Sequence, residues 1–132
     1  QGLLSPLAAG SNVVVHNGVS DEEYAELLES AHALVTASRA EGYGLPVVEA
    51  QAAGCPAVIS DIDIFREIAP HAVFAPVTED PQADAPAWVE AIRSLEDETV
   101  RDRVILEGLQ DASHYSWRES ALKLVRIVKV IT

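Results

Sequence analysis

The sequence has 132 residues, 48% of them hydrophobic, which fits a single domain over residues 1–132 that buries a core of its own. Its formal net charge of −12 at pH 7 argues against binding to nucleic acid or to acidic membranes, because both are polyanions. The sequence shows no apolar run of the roughly 20 residues that a bilayer span needs.

Short apolar runs alternate with longer amphipathic stretches along the chain. Strands are predicted at residues 13–16, 33–36, 57–60 and 72–75, and helices at residues 21–31, 46–53, 64–68, 85–95, 98–112 and 117–130. This alternation favours an α/β fold with a Rossmann-like parallel sheet and helices on both faces. The proline-rich segment 76–86 is predicted to be the loop that ends the sheet and begins a helical tail.

The segment Glu41–Ala50 contains a glycine-bearing turn at the start of a predicted helix. Gly42 and Gly44 are able to adopt backbone conformations closed to other residues, and Pro46 suits a first helical turn because its missing N–H would have been unpaired there. The N–H groups of that turn and the helix dipole favour a phosphate or another anion. In open parallel sheets, ligands bind beyond the carboxyl ends of the strands, where this turn is predicted to lie.

Two carboxylates, Glu41 and Glu49, bracket this turn. A carboxylate repels phosphate but accepts from two donors, which fits the vicinal diol of a ribose or a hexose. Two carboxylates on either side of an anion site therefore favour a nucleotide diphosphate sugar as the ligand. A glutamate in a first helical turn and glycines after a strand are also common without any ligand, so composition and spacing alone leave both interpretations open.

Glu41 and Glu49 with the residues between them, followed by 53–59, resemble the donor-site signature of retaining glycosyltransferases built from two Rossmann-like domains. This is the glycosyl transferases group 1, or family 4, type, and the sequence is similar to its mannosyltransferases. The similarity continues upstream through 13–23 and 31–35 and downstream through 60–67 and 115–117. It covers about residues 12 to 120, so the expected fold is one partial domain of a two-domain glycosyltransferase.

The resemblance implies a role for each matching position. Glu49 would hold the ribose hydroxyls of the nucleotide, and Glu41 would contact hydroxyls of the donor sugar. The backbone at Gly42, Tyr43, Gly44 and Leu45 would line the sugar and the diphosphate, and Asn17, Gly18 and Val19 would lie near the base. Tyr43 stands where the family more often has Phe, which keeps the ring and adds a hydroxyl.

Several parts of the family's architecture lie outside these 132 residues. The N-terminal acceptor domain with its catalytic or orienting His is absent, as is the first strand and helix of the donor domain, which supply an Arg and a Lys to the diphosphate. Arg39 and Arg66 are near strand ends, but solvated surface positions are favoured for both. No catalytic residue is therefore assigned, and the isolated chain is expected to be inactive because the leaving diphosphate lacks its cations.

The C-terminal helix concentrates four of the nine basic residues, namely Arg118, Lys123, Arg126 and Lys129. Its apolar residues follow helical spacing, so one face should pack on something. In the family this helix crosses back to the N-terminal domain. Packing against that missing domain or self-association is favoured, and contact with a membrane surface is the less favoured alternative.

The remaining polar residues give weaker signals. Cys55 is the only cysteine, so an internal disulfide is excluded and a reducing cytoplasm fits best; its neighbours favour a small buried residue over a nucleophile. Asp61 and Asp63 have the spacing of paired metal ligands, although a solvated loop is favoured there. The four histidines show no ligand spacing, so neither a metal nor a cofactor is expected.

These observations predict the donor-binding half of a retaining glycosyltransferase, which transfers a sugar to a glycan, lipid or small-molecule acceptor. The alternative is a non-catalytic nucleotide-binding or assembly module that keeps the same fold. Base, sugar and acceptor are not specified by the sequence.

Overall fold

The computed structural model describes residues 12–131, with side chains described as far as residue 128. Within that range, strands and helices alternate as far as the third strand and three helices follow it. The helices are α1 Asp21–Ser30, α2 Leu45–Ala52, α3 Asp63–Ile68, α4 Pro81–Ser94, α5 Glu98–Ser113 and α6 Trp117–Ile131, and the strands are β1 Leu34–Thr36, β2 Ala57–Ser60 and β3 Val73–Ala75.

The three strands form one parallel sheet in the order β1-β2-β3. Leu34 pairs with Ala57, and Val58 pairs with Val73, so β2 is the central strand. All four residues of β2 are buried, as expected for a parallel strand covered on both faces. The predicted α/β class is therefore confirmed.

Alternate residues of β2 point into two separate cores. Ala57 and Ile59 belong to a cluster with Phe65 of α3 and Val47 of α2. Val58 belongs to a second cluster with residues of α4 and α5. Because successive side chains of a strand face opposite sides of the sheet, helices cover both faces of this sheet, as predicted.

Local signals account for the ends of several helices. The hydroxyl of Ser20 accepts from the Glu23 N–H at 3.1 Å while the Glu23 carboxylate accepts from the Ser20 N–H at 2.8 Å, which is a capping box at the start of α1. At the end of α2, Gly54 has φ of 73°, and the Cys55 N–H donates back to the Ala50 carbonyl. Helix α2 therefore stops where the glycine and the following Pro56 predict.

The prediction of a strand at residues 13–16 is wrong. These residues are exposed, and none of them takes part in the described sheet. An apolar run becomes a strand only when a neighbouring strand accepts its backbone hydrogen bonds. Within residues 12–131 no such neighbour lies beside the segment.

The prediction that residues 76–86 form a loop is wrong in its second half, because α4 begins at Pro81. The Asp80 carboxylate accepts from the N–H groups of Gln82 and Ala83 at 3.0 and 3.3 Å, and Pro81 occupies the first turn, where a missing N–H costs little. Pro86 lies inside the helix. The other predicted helices and strands agree with the structure to within one residue at each end.

Helix α6 differs from the others in its surroundings. Every side chain from residue 117 to residue 128 is exposed, including Trp117 at 82%. The predicted amphipathic helix is therefore present, with its described apolar side chains at the surface.

Candidate functional site

The residues between β1 and α2, which we call the Gly42 loop (residues 37–44), lie at the carboxyl end of β1. Because the sheet is parallel, the segments that follow β2 and β3 lie at this same edge. Arg39 of the Gly42 loop reaches one of them: its guanidinium donates to the Thr78 carbonyl and to Glu79. The loop therefore lies at the edge of the sheet where ligands bind in folds of this kind.

Gly44 fixes the turn into α2. It has φ of 76°, a left-handed conformation that other residues rarely adopt, and it is the N-cap of the helix without any side-chain cap. A Cβ at this position would lie 2.7 Å from Ile68 Cδ1 and 2.9 Å from Phe65 Cε1. The turn is thus pressed against α3, and the close approach at Gly44 is to the core of the protein itself.

Gly42 has different surroundings. A Cβ built there would meet no atom within 4 Å, so the backbone of Gly42 borders open space. Of the two glycines in the predicted binding turn, Gly42 is the one with room beside it for a ligand.

Glu41 lies on the exposed side of the Gly42 loop, where its Oε1 accepts a hydrogen bond of 2.6 Å from the Ser38 hydroxyl. An O–H group that donates to a carboxylate at this distance makes a strong, charge-assisted bond. Glu41 is therefore held in place by a neighbour while remaining accessible.

Glu49 lies on α2, one turn after its start, and is also exposed. Its neighbour is Tyr24 of α1, which packs beside the cluster formed by Leu28, Ala50 and Cys55. Burial, followed by the charge of Glu49 and a hydrogen bond to it, raises the pKa of the Tyr24 phenol. Neither of the two predicted acidic side chains is turned into the interior.

Tyr43, 46% exposed, rests on the segment that precedes α6. Its ring meets the Tyr115 ring edge to face, with 6.2 Å between centroids and an interplanar angle of 88°. The Tyr115 hydroxyl in turn lies 3.4 Å from the Glu67 carbonyl of α3. Leu45, at the start of α2, is exposed at the same turn.

Asn17, Gly18 and Val19 form an exposed segment just before α1. Gly18 has φ of 64°, and Val19 borders a cavity of about 280 Å³ together with His16 and Leu27. Within the described chain no hydrogen bond joins this segment to Glu41 or Glu49. The link between them is indirect, since α1 follows the segment and carries the tyrosine that lies beside Glu49.

The two cations considered for a diphosphate are both paired with carboxylates. Arg39 Nη1 lies 2.9 Å from Glu79 Oε1, and Arg66 contacts both oxygens of Asp61 while lying 4.5 Å from the centre of the Phe74 ring. The hydrogen bonds from Arg66 hold the pKa of the Asp61 carboxyl below its usual range. Asp61 is therefore the partner of a guanidinium on α3.

Among residues 12–131, no group of three or more His, Cys, Asp or Glu side chains converges as a metal site would require. Over the same residues, no helix has the length and apolar character needed to cross a bilayer. Cys55 is buried, as predicted, and burial raises the pKa of its thiol.

Sequence reasoning missed three residues that contact the predicted site: Ser38 beside Glu41, Tyr24 beside Glu49, and Tyr115 beside Tyr43. Only Ser38 carries a local signal, because a serine three residues before a glutamate is able to reach its carboxylate. The two tyrosines come from distant parts of the chain, and their proximity depends on the packing of α1 and of the segment before α6.

The parallel sheet covered on both faces, with a glycine turn and a helix at its carboxyl edge, defines an α/β protein of Rossmann-like type. Residues 3–110 match the model of the family described as glycosyl transferases group 1. The chain belongs to that family, and the resemblance carried by Glu41–Ala50 is confirmed.

Several relatives with known names are similar over most of the chain. It is 34% identical to the serotype-specific mannosyltransferase WbdA of Escherichia coli over 113 residues, which are 86% of this chain and 13% of that protein. It is 30% identical to D-inositol 3-phosphate glycosyltransferase 1 of Catenulispora acidiphila over 128 residues, covering 96% of this chain and 30% of the other. The chain thus spans under a third of the length of each of these two relatives.

Proposed function

We propose that this chain is the donor-binding part of a retaining glycosyltransferase that takes a nucleotide diphosphate sugar as its substrate. The observation that carries the proposal is the position of Glu41 and Glu49. Both carboxylates are exposed, Glu41 in the Gly42 loop and Glu49 one turn into the helix that follows it, at the carboxyl edge of a parallel sheet. Mannosyltransferases among the relatives support a hexose as the sugar.

Each residue of the turn has a part in this proposal. Glu49 accepts hydrogen bonds from the ribose hydroxyls, and Glu41 accepts from hydroxyls of the donor sugar, since an ionised carboxylate offers only acceptors. The backbone from Gly42 to Leu45, with Tyr43 and Gly44 between, lines the sugar and the diphosphate at the start of α2, where the helix dipole favours an anion. Asn17, Gly18 and Val19 lie near the base.

Acceptor binding and catalysis belong, in this proposal, to a longer protein or a partner domain. The chain matches only 13% of one relative, and Arg39 and Arg66 are already paired with carboxylates. The cations for the leaving diphosphate would therefore come from elsewhere, and the isolated chain binds the donor without transferring it. No metal or further cofactor enters the proposal, and the acceptor is a glycan, a lipid or a small molecule.

Calorimetric titration of the chain with UDP, GDP and ADP, and with UDP-glucose, GDP-mannose and ADP-glucose, tests donor binding. One nucleotide and its sugar should bind with a measurable heat. The variant Glu49→Ala should weaken both members of that pair about tenfold or more, because a hydrogen bond to a charged group is worth about 1.5–3 kcal/mol.

The matched control is Glu90→Ala, which removes an exposed carboxylate from α4. It should leave both affinities unchanged. No heat with any of the six compounds would refute the proposal for this chain, and equal weakening by the two variants would refute the assignment of Glu49. Binding of nucleotides without any preference for their sugars would favour a non-catalytic nucleotide-binding module.

Retention is tested on the full-length protein that contains this domain. Proton NMR of the first product formed should show the same anomeric configuration as the donor. Inversion of that configuration would contradict the retaining assignment while leaving donor binding intact.

A further inference from the structure

A series of hydrogen bonds leads from the interior of the sheet to Glu41. Ser60, the last residue of β2, is fully buried, and its hydroxyl donates to the Thr36 carbonyl at 3.3 Å. Thr36 ends β1, and its hydroxyl lies 3.2 Å from the Ser38 hydroxyl. Ser38 then donates to Glu41 Oε1 at 2.6 Å. The carboxylate is thereby linked to the ends of two adjacent strands.

The hydrogen bond from Ser38 distinguishes the two oxygens of Glu41. Among the described residues, Ser38 is the partner that the structure gives this carboxylate, and it engages Oε1. The remaining acceptor, Oε2, belongs to a group whose rotation is restricted by a strong bond on its other oxygen. A carboxylate fixed in this way presents Oε2 to a ligand in a defined direction.

We propose that Ser38 is a positioning residue for the sugar half of the site, an inference that rests on the proposed function. It holds Glu41 so that Oε2 accepts from one hydroxyl of the hexose of a nucleoside diphosphate sugar. Positioning by a second hydrogen-bonded residue is effective when that residue is itself anchored, and Thr36 and Ser60 anchor Ser38 to the sheet.

A purely structural role for Ser38 leads to a different expectation. A serine that only closes the loop would alter folding, and the nucleotide and the nucleotide sugar would lose affinity together. A positioning residue acts through Glu41, so its loss weakens only the ligand that carries the sugar. The ratio of the two affinities therefore separates the roles.

The experiment compares UDP with UDP-glucose, GDP with GDP-mannose and ADP with ADP-glucose by calorimetry, using the wild-type chain and Ser38→Ala. For the pair that binds, Ser38→Ala should weaken the nucleotide sugar roughly fivefold and leave the nucleotide unchanged. Ser38→Thr, which keeps a hydroxyl at the same atom, should restore the affinity for the nucleotide sugar. Ser113→Ala, which removes an exposed hydroxyl on α5, should change neither affinity.

Thr36→Val provides a second variant, because it removes the hydroxyl beside Ser38 and keeps the side-chain shape. It should weaken the nucleotide sugar by a smaller factor, about twofold, with no change for the nucleotide. Urea denaturation of each variant shows whether the fold is kept.

Failure of the positioning role and failure of donor binding give different results. If the wild-type chain binds none of the six compounds, the proposed function itself is refuted. If it binds a pair and Ser38→Ala leaves the nucleotide sugar unaffected, or weakens both members equally, the positioning role is refuted and donor binding stands. If Ser38→Ala weakens binding of the nucleotide sugar and Ser38→Thr does not restore it, the role of the Ser38 hydroxyl is also refuted.

Discussion

Helices α2 and α6 both carry many apolar residues, yet their surroundings are opposite. In α2, Val47, Ala50 and Gln51 are buried, and this side of the helix packs against the sheet, α1, α3 and α5. In α6, every described side chain is exposed. The comparison teaches that an apolar pattern predicts a helix, whereas burial depends on which other elements are present to receive it.

The two helices also differ in how many contacts from other parts of the chain reach them. The predicted binding residues at the start of α2 are fixed by contacts from several parts of the chain: Ser38, Tyr24, Phe65 and Tyr115. In helix α6, by contrast, the side chains of residues 117–128 are exposed. Substitutions around α2 should therefore change stability far more than substitutions in α6.

Among substitutions around the glycine turn, the largest effect is expected from Gly44→Ala. The substitution places a Cβ in a left-handed conformation and within 2.9 Å of Ile68 and Phe65, so both backbone strain and overpacking oppose it. We expect the free energy of unfolding to fall by about 3 kcal/mol, as measured by urea denaturation.

Gly42→Ala is the matched control for Gly44→Ala, because the space around Gly42 is open. Its cost should stay below about 1 kcal/mol. Equal losses from the two variants would show that the turn is not pressed against α3 as described.

A smaller effect, of opposite sign, is expected from Gln51→Met. Gln51 is 3% exposed on the face of α2 that meets Gly108 of α5, and its Oε1 has no hydrogen-bond partner among the described residues. Replacing an unpaired buried amide oxygen with a thioether of similar size should raise the free energy of unfolding by about 1 kcal/mol.

Gln110→Met on the exposed side of α5 serves as the control for Gln51→Met and should be nearly neutral. Destabilisation by Gln51→Met, with Gln110→Met unchanged, would mean that the buried amide makes an interaction that stabilises α2 against α5.

A still smaller effect on the free energy of unfolding is expected when the pH is raised, because His71 loses its proton. The Asp111 carboxylate of α5 accepts from the backbone N–H of His71 at 3.1 Å, and it lies 2.8 Å from Nδ1 of the His71 ring. The hydrogen bond between the ring and Asp111, followed by the negative charge of Asp111, raises the pKa of His71 above 6.5. Protonated His71 is thus favoured in the folded state. The contribution of the His71–Asp111 pair to the free energy of unfolding is fully present below pH 6.5 and is lost as the pH rises through the pKa of His71 in the folded state.

Because the His71 side chain is 50% exposed, the change should be a few tenths of a kcal/mol. Urea denaturation at a series of pH values from below 6.5 upward should show this loss of stability for the wild-type chain and not for His71→Gln. An NMR titration that places the pKa of His71 at or below 6.5 would contradict the expectation.

The smallest effect is expected from Leu124→Ala in α6. Leu124 is 61% exposed, and alanine keeps the helical propensity, so the free energy of unfolding should change by less than about 0.5 kcal/mol. Leu95→Ala in the buried cluster between the sheet and α4 should cost about 2–5 kcal/mol by the same measurement. A large loss from Leu124→Ala would mean that α6 packs against the domain in solution.

Local sequence signals were sufficient for most of the fold. Apolar runs and glycines located β2 and α2, and their bounds agree with the prediction to within one residue. Two errors have physical causes. Residues 13–16 have the pattern of a strand, but no strand lies beside them among the described residues 12–131. The prolines of 76–86 obscured a helix whose start is marked by Asp80 and Pro81.

The candidate site was predictable in part. Glu41 and Glu49 could be selected because they flank a glycine turn, and the structure places both at the surface. Tyr24 and Tyr115 could not, since they approach the turn only through packing between segments far apart in sequence. The space at Gly42 and its absence at Gly44 likewise depend on α3, which no local pattern reveals.

The unequal surroundings of positions 42 to 44 bear on how this turn can diverge during evolution. A side chain added at Gly42 enters open space, whereas one added at Gly44 meets Phe65 and Ile68 and needs compensating replacements there. Position 42 is therefore free to vary by single substitutions, whereas position 44 is constrained by the packing of α3.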